Sequence, residues 1–222
     1  MSGIGAALPR AQGGGTKRPH RGTVAAGVLF FLLGAWFLTA IMLGASIAPI
    51  YDYSSAAISD LGVIPETAVL FNLTLALIGG LNLVGGYLFH RSHRHVLVFS
   101  AFAIASAGAI GAGLFPLSTG DVHSLFALFA FVFFNVEAVA CAAVLSGWMR
   151  ILSAVSGLIG LTFTVLMVVG DSGTPAAFWI IGHGGTERMI AYPVMLWLTL
   201  LGGYLIAGNQ PATANAGRHG PG

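Results

Sequence analysis

Charge is what this chain lacks most. Asp, Glu, Lys and Arg make up 7% of its 222 residues, and 56% are hydrophobic. A soluble domain carries about 25% charged residues, so this set is too sparse to cover a water-facing surface, and much of that surface must face lipid. The few basic residues lie between apolar runs and form no patch, which argues against a nucleic-acid partner. There is one cysteine, Cys141, so an intrachain disulfide is excluded. It falls in an apolar run and reads as a small packing residue. Period-two alternation is absent, which argues against a membrane barrel. No internal repeat is visible, which counts against an inverted-repeat transporter.

Long apolar runs are what the chain has in abundance. Six spans are expected, at about 24–48, 67–89, 96–115, 122–146, 151–170 and 187–207. Each is near the roughly 20 residues that cross a bilayer. Backbone groups in lipid must bond within their own segment, so the spans should be helices. The expectation is an all-α integral membrane protein, a compact six-helix bundle over residues 23–207. A basic tail (1–22) and a Gly- and Pro-containing tail (208–222) should be disordered. The first run follows Arg10, Lys17, Arg18 and Arg21, as in a secretory signal, but it is long enough to be retained as a helix. Small residues recur at four-residue spacing, as in Ala76 with Gly80, Ala107 with Gly111, Ala109 with Gly113, and Ser156 with Gly160. Such pairs let helices approach closely, within one bundle or between copies in a homo-oligomer.

Orientation follows from the loops. Arg10, Lys17, Arg18, Arg21, Arg91, Arg94, Arg150 and Arg218 fall on one side, and Arg188 alone falls on the other. The positive-inside rule makes the first side cytoplasmic, with both termini there, in what should be a cell membrane. Asp52, Asp60, Glu66, Asp121, Asp171 and Glu187 fall on the outer side, and only Glu137 lies within a span. Acids contribute little to orientation, so this bias needs its own reason. The outer connections, 49–66 and 171–186, are also the longer ones, and long loops are more often functional.

Three segments stand out by order and spacing: Tyr53-Ser-Ser-Ala-Ala-Ile-Ser-Asp-Leu-Gly62; Gly113-Leu-Phe-Pro116 followed by His123-Ser124; and Glu187-Arg-Met-Ile-Ala-Tyr-Pro193 leading to Trp197 and Gly202. This pattern resembles the prokaryotic membrane family called domain of unknown function 998, over most of residues 25–206. The resemblance implies about six membrane helices and brings no activity with it.

These segments carry polar groups to the outer helix ends, where ionisable residues are functional candidates. The expected catalytic set is Asp60, His123 and Glu187, with Arg188, Asp171 and His183 binding substrate. A role in handling membrane lipids or isoprenoids fits such a site. A small transporter and an accessory subunit are the alternatives. Arg188 should either pair with Asp60, Asp171 or Glu187, or clamp an anion such as a lipid phosphate. His123 and Ser124 point about 100 degrees apart on a helix, so a Ser-His-Asp triad needs another serine, such as Ser59. His123 and His183 with Asp60 or Asp171 would make a zinc pattern, and a desolvated Glu187 or Asp60 would make a proton donor for an isoprenoid. No metal is assigned, and the cofactor is left open. Asp121 reads as a cap of the fourth helix, and Glu187 after Thr186 as a first-turn acid. His90, His93 and His95 share a turn with two arginines and should meet lipid headgroups. Glu137 shares a helix face with His123 and should meet Asn72 or Asn82, either as a packing group or as part of an ion path.

Overall fold

Hydropathy sets the elements. The computed structural model describes residues 21–208, and within them six helices are long and apolar enough to cross a membrane. They are α1 (Arg21–Ile47), α2 (Ala68–His93), α3 (Val96–Leu114), α4 (Asp121–Cys141), α5 (Gly147–Asp171) and α6 (Gly182–Ala207). Among the described residues there is no strand. The expected tails fall outside the described residues, except that α1 already begins at Arg21.

The helices form a closed ring. Each of α1 to α5 packs on the next, and α6 returns to α1. Arg21, Arg91, Arg94 and Arg150 gather at one end of the ring, which we call the basic end; the opposite end holds the acids except Glu137, which lies within α4. Thr23 Oγ1 and Ser92 Oγ, 2.8 Å apart, tie α1 to α2 at the basic end. Trp197 Nε1 donates to Ser153 Oγ at 2.7 Å, joining α6 to α5. Asn135 Nδ2 reaches across the ring to the Ile190 carbonyl at 3.1 Å. Such interhelical bonds contribute about 0.6 kcal/mol each on average, so close packing must supply the rest.

Glycine provides much of that packing. Gly113 lies against the α2 backbone at Asn72 and Ala76, Gly111 against Phe126, and Gly160 against the Asn135 side chain. Three of the expected small-residue pairs therefore serve the bundle itself. Gly80 meets nothing and faces outward. Another close seam is one the pairs do not include: Gly27 and Gly34 of α1 meet α6 at Gly202, Met195 and Thr199.

Two helix ends differ from expectation by five residues, the others by less. The fourth helix stops at Cys141 rather than 146, and the basic-end turn is 142–146. Arg150 Nε donates to the carbonyls of Ala142 and Leu145, each at 3.1 Å, satisfying groups the helix leaves unpaired. The sixth helix starts at Gly182 rather than 187, after a 3-10 turn over Pro175–Ile181.

The basic end is plugged. Phe30 and Phe102 stack at 5.3 Å between centroids, and Phe89 meets Phe30 edge-on at 6.4 Å. All three rings are fully buried. Next to this plug, Asn82 Nδ2 donates to Glu137 Oε2 at 2.9 Å and closes the interior between α2 and α4. Asn72 does not join them; it donates to the Gly62 carbonyl at 3.0 Å.

Candidate functional site

The acidic end is organised by the α1–α2 loop, which is strapped across the start of α6. Asp52 begins the loop: its carboxylate accepts from the Ser54 N–H at 3.0 Å and from the hydroxyls of Ser54 and Ser55. Those donors hold its pKa below the usual carboxylate range. Ile58 and Leu61 are buried and anchor a 3-10 turn, Ile58–Gly62. Asp60 Oδ2 accepts from the Ala57 N–H at 2.8 Å, and Glu187 Oε2 accepts from the Ile58 N–H across the gap from α6.

Arg188 is the buckle of the strap. Its Nη1 donates to the carbonyls of Tyr53 (3.0 Å), Ala56 (3.1 Å) and Gly184 (2.8 Å). Its Nη2 donates to the Tyr51 hydroxyl at 2.7 Å, which in turn donates to the Ala57 carbonyl at 2.7 Å. The guanidinium carbon lies 5.5 Å from the Tyr51 ring centre and 4.8 Å from that of Tyr53, a cation–π arrangement. Burial pushes the Tyr51 phenol up to about 12, with the Arg188 charge pulling the other way. Gly184 allows the close approach, since a Cβ there would strike the Ala56 and Tyr53 carbonyls.

This arrangement corrects three expectations. Arg188 forms no ion pair among the described residues, because loop carbonyls and a phenol meet four of its donor contacts. Glu187 is not a first-turn acid, since α6 begins five residues earlier; Thr186 Oγ1 donates back to the Gly182 carbonyl at 2.9 Å, inside the helix. Asp121 opens α4 but makes no capping hydrogen bond, and Gly120 is the cap residue.

His123 comes from the first turn of α4 and is 3% exposed. Its Nδ1 lies 2.7 Å from the Phe115 carbonyl oxygen at the end of α3. A carbonyl only accepts, so Nδ1 carries the proton. When the ring is neutral its lone pair is on Nε2, which has no hydrogen-bond partner among the described residues. His183, near the start of α6, sits 3.3 Å from the Asp171 carboxylate at the end of α5, and both are partly exposed.

Between α4, α5 and α6 these groups enclose a cavity of about 410 Å³. His123, Glu187, Asp171 and His183 all line it, together with Ser59 and Ser124. Asp60 and Arg188 do not; both belong to the strap. Leu128, Phe131, Met167 and Val168 give the lining its apolar part, with Leu128 and Val168 also exposed on the outside of the bundle, and Thr164 is buried among them. Two smaller cavities of about 50 Å³ each continue inward between apolar side chains, the last reaching Asn135, Val194 and Met195. Ser59, His123 and Glu187 line both the first and the second cavity, so they form the neck between the larger, partly polar cavity and the small apolar ones. Among the described residues no three His, Cys, Asp or Glu side chains are grouped to hold a metal ion, so His123 and His183 do not complete the zinc pattern with an acid. The same holds for His90, His93 and His95; His93 instead stacks on Phe89, 4.0 Å between ring centres.

A family described as a protein of unknown function (DUF998) matches residues 31–204. The chain belongs to this family. No curated protein and no solved structure matches it. Membership covers all six helices and the strapped loop, and it assigns no activity.

The neck was only partly readable beforehand. His123, Glu187, Asp171 and His183 were recognisable as polar groups at outer helix ends. The Phe131 and Met167 walls were not, because a phenylalanine or methionine in a membrane span looks the same whether it faces a cavity or lipid.

Proposed function

We propose that this DUF998 protein is a lipid-handling membrane protein whose site takes one chain of an amphiphile. The observation that carries this reading is the gradient of the cavity. Asp171, His183 and Ser124 stand at the polar mouth, and Phe131, which lines all three cavities, leads into apolar space. The polar head would rest at the mouth and the hydrocarbon chain would run inward. His123 Nε2 at the neck is placed to act as a general base on a hydroxyl or water at the junction of head and chain. Glu187 and Ser59 border the same point, and Arg188 shapes the site by holding the loop. The positive-inside bias supports a mouth on the outer face of a prokaryotic plasma membrane.

A continuous transport path fits less well, because the Phe30–Phe89–Phe102 packing closes the basic end. The test is extraction in mild detergent followed by mass spectrometry of retained lipid, comparing the natural chain with Ala127→Trp. Ala127 lines both the first and second cavities, so a large ring there fills the neck. A defined lipid kept by the natural chain and lost from the variant supports the proposal. Identical bulk lipid in both overturns it.

A further inference from the structure

We infer that the amphiphile bound at this site has a head that donates hydrogen bonds and carries neither phosphate nor carboxylate. The inference rests on the lipid-handling reading and narrows its substrate class.

The charged and titratable groups facing the cavity come from three helices: His123 from α4, Asp171 from α5, and His183 and Glu187 from α6. No Lys or Arg lines it. The one described cation at this end, Arg188, is 8% exposed and directed into the loop carbonyls and Tyr51. A protonated His183 already faces the Asp171 carboxylate at 3.3 Å. An incoming anion would therefore meet the Asp171 carboxylate beside the buried Glu187 carboxyl group, and no free Lys or Arg. Asp52, Asp60, Glu66 and Asp121 add their charge at the same end of the bundle, and such one-signed fields select ligands by charge.

The hydrogen-bond inventory points the same way. His123 Nε2 in the tautomer fixed by Phe115 is an acceptor, and so is the Asp171 carboxylate, while the hydroxyls of Ser124, Thr164 and Ser172 already donate to backbone carbonyls four residues back and the Ser59 hydroxyl can donate or accept. Acceptors need donors, and a hydroxyl or an ammonium supplies them where a phosphate does not. His123 is itself deeply buried with that nitrogen unpartnered, so the acceptor belongs to the cavity rather than to bulk water. The excess of acids at this end, which orientation does not explain, thus acquires a role in rejecting anionic lipids.

The experiment uses the full chain in detergent micelles and four single-chain probes of equal chain length: a monoacylglycerol, a long-chain amine, a lysophosphatidic acid and a fatty acid. Affinity is read at pH 7.5 by native mass spectrometry. The monoacylglycerol or the amine should bind at least tenfold more tightly than either anion, and the difference between those two probes tells a hydroxyl head from an ammonium. Asp171→Asn should narrow the gap between the amine and the anions. A lysophosphatidic acid or fatty acid that binds best overturns this inference and leaves the lipid-handling reading standing. If none of the four binds the natural chain better than it binds Ala127→Trp, that reading falls and the inference falls with it. The head-group ranking is read on the natural chain alone, so it stands even if the tryptophan variant fails to fold.

Discussion

His123 Nδ1 stands 2.7 Å from the Phe115 carbonyl oxygen, so the end of α3 sets the tautomer of a histidine on α4. Nitrogen-15 NMR of histidine-labelled protein should show the neutral form of His123 as the Nδ1–H tautomer, with the lone pair on Nε2. With a processed amphiphile in hand, His123→Gln should slow turnover about 10²–10⁴-fold, the usual contribution of a general base, while the melting temperature falls by only a few degrees. A large loss of folding with unchanged turnover per folded molecule would make the residue a helix tie only.

Arg188→Lys keeps the charge and removes the planar fork. One ammonium cannot reach three carbonyls and the Tyr51 hydroxyl at once, so stability should drop by about 3 kcal/mol, as for lost hydrogen bonds to a charged group with carbonyls left unpaired. Hydrogen exchange should rise selectively over residues 51–58, and unchanged exchange there would contradict the buckle.

Tyr51 gives the strap an alkaline limit. Its folded pKa is about 12, against 10.0 for the ordinary side chain. The phenol therefore contributes its full stability below pH 10 and loses it as pH rises from about 10 to about 12. Thermal unfolding followed across that window should show a decline that is smaller in Tyr51→Phe.

Glu137 separates packing from transport. Its Oε2 accepts from Asn82, and its Oε1 has no partner. Glu137→Gln should be tolerated to within about 1 kcal/mol, whereas Asn82→Leu strands the Glu137 side chain and should cost about 1–3 kcal/mol. Complete loss of function in a well-folded Glu137→Gln variant would revive the ion-path reading.

The α1–α6 seam should be intolerant of bulk. A side chain at Gly34 meets the Met195 carbonyl and Thr199, so Gly34→Leu should destabilise by at least the 1–3 kcal/mol typical of overpacking. Gly80→Leu, on an open face, should change the melting temperature little.

The six helices were legible because hydropathy alone decides which segments leave water. Their ends were less so. Ala142, Ala143, Val144 and Leu145 are as apolar as a span, yet they form a turn that Arg150 closes. Gly182-His-Gly-Gly185 resembles a loop by propensity, yet α6 begins there, and the glycine at 184 leaves room for the loop carbonyls. At the site, the convergence of His123, Glu187, Asp171 and His183 followed from their shared position at outer helix ends. The partners of Arg188 did not, since apart from Tyr51 and Tyr53 they are backbone carbonyls, which leave no trace in residue types.

The most direct test of the account is photolabelling with a single-chain monoacylglycerol carrying a diazirine midway along its chain, followed by peptide mapping. The account predicts label on Phe131 and Met167, which line the cavity, and its loss when excess unlabelled amphiphile is added. Label confined to outward-facing residues such as Val69 and Leu97, and indifferent to competitor, would contradict an amphiphile site in this bundle.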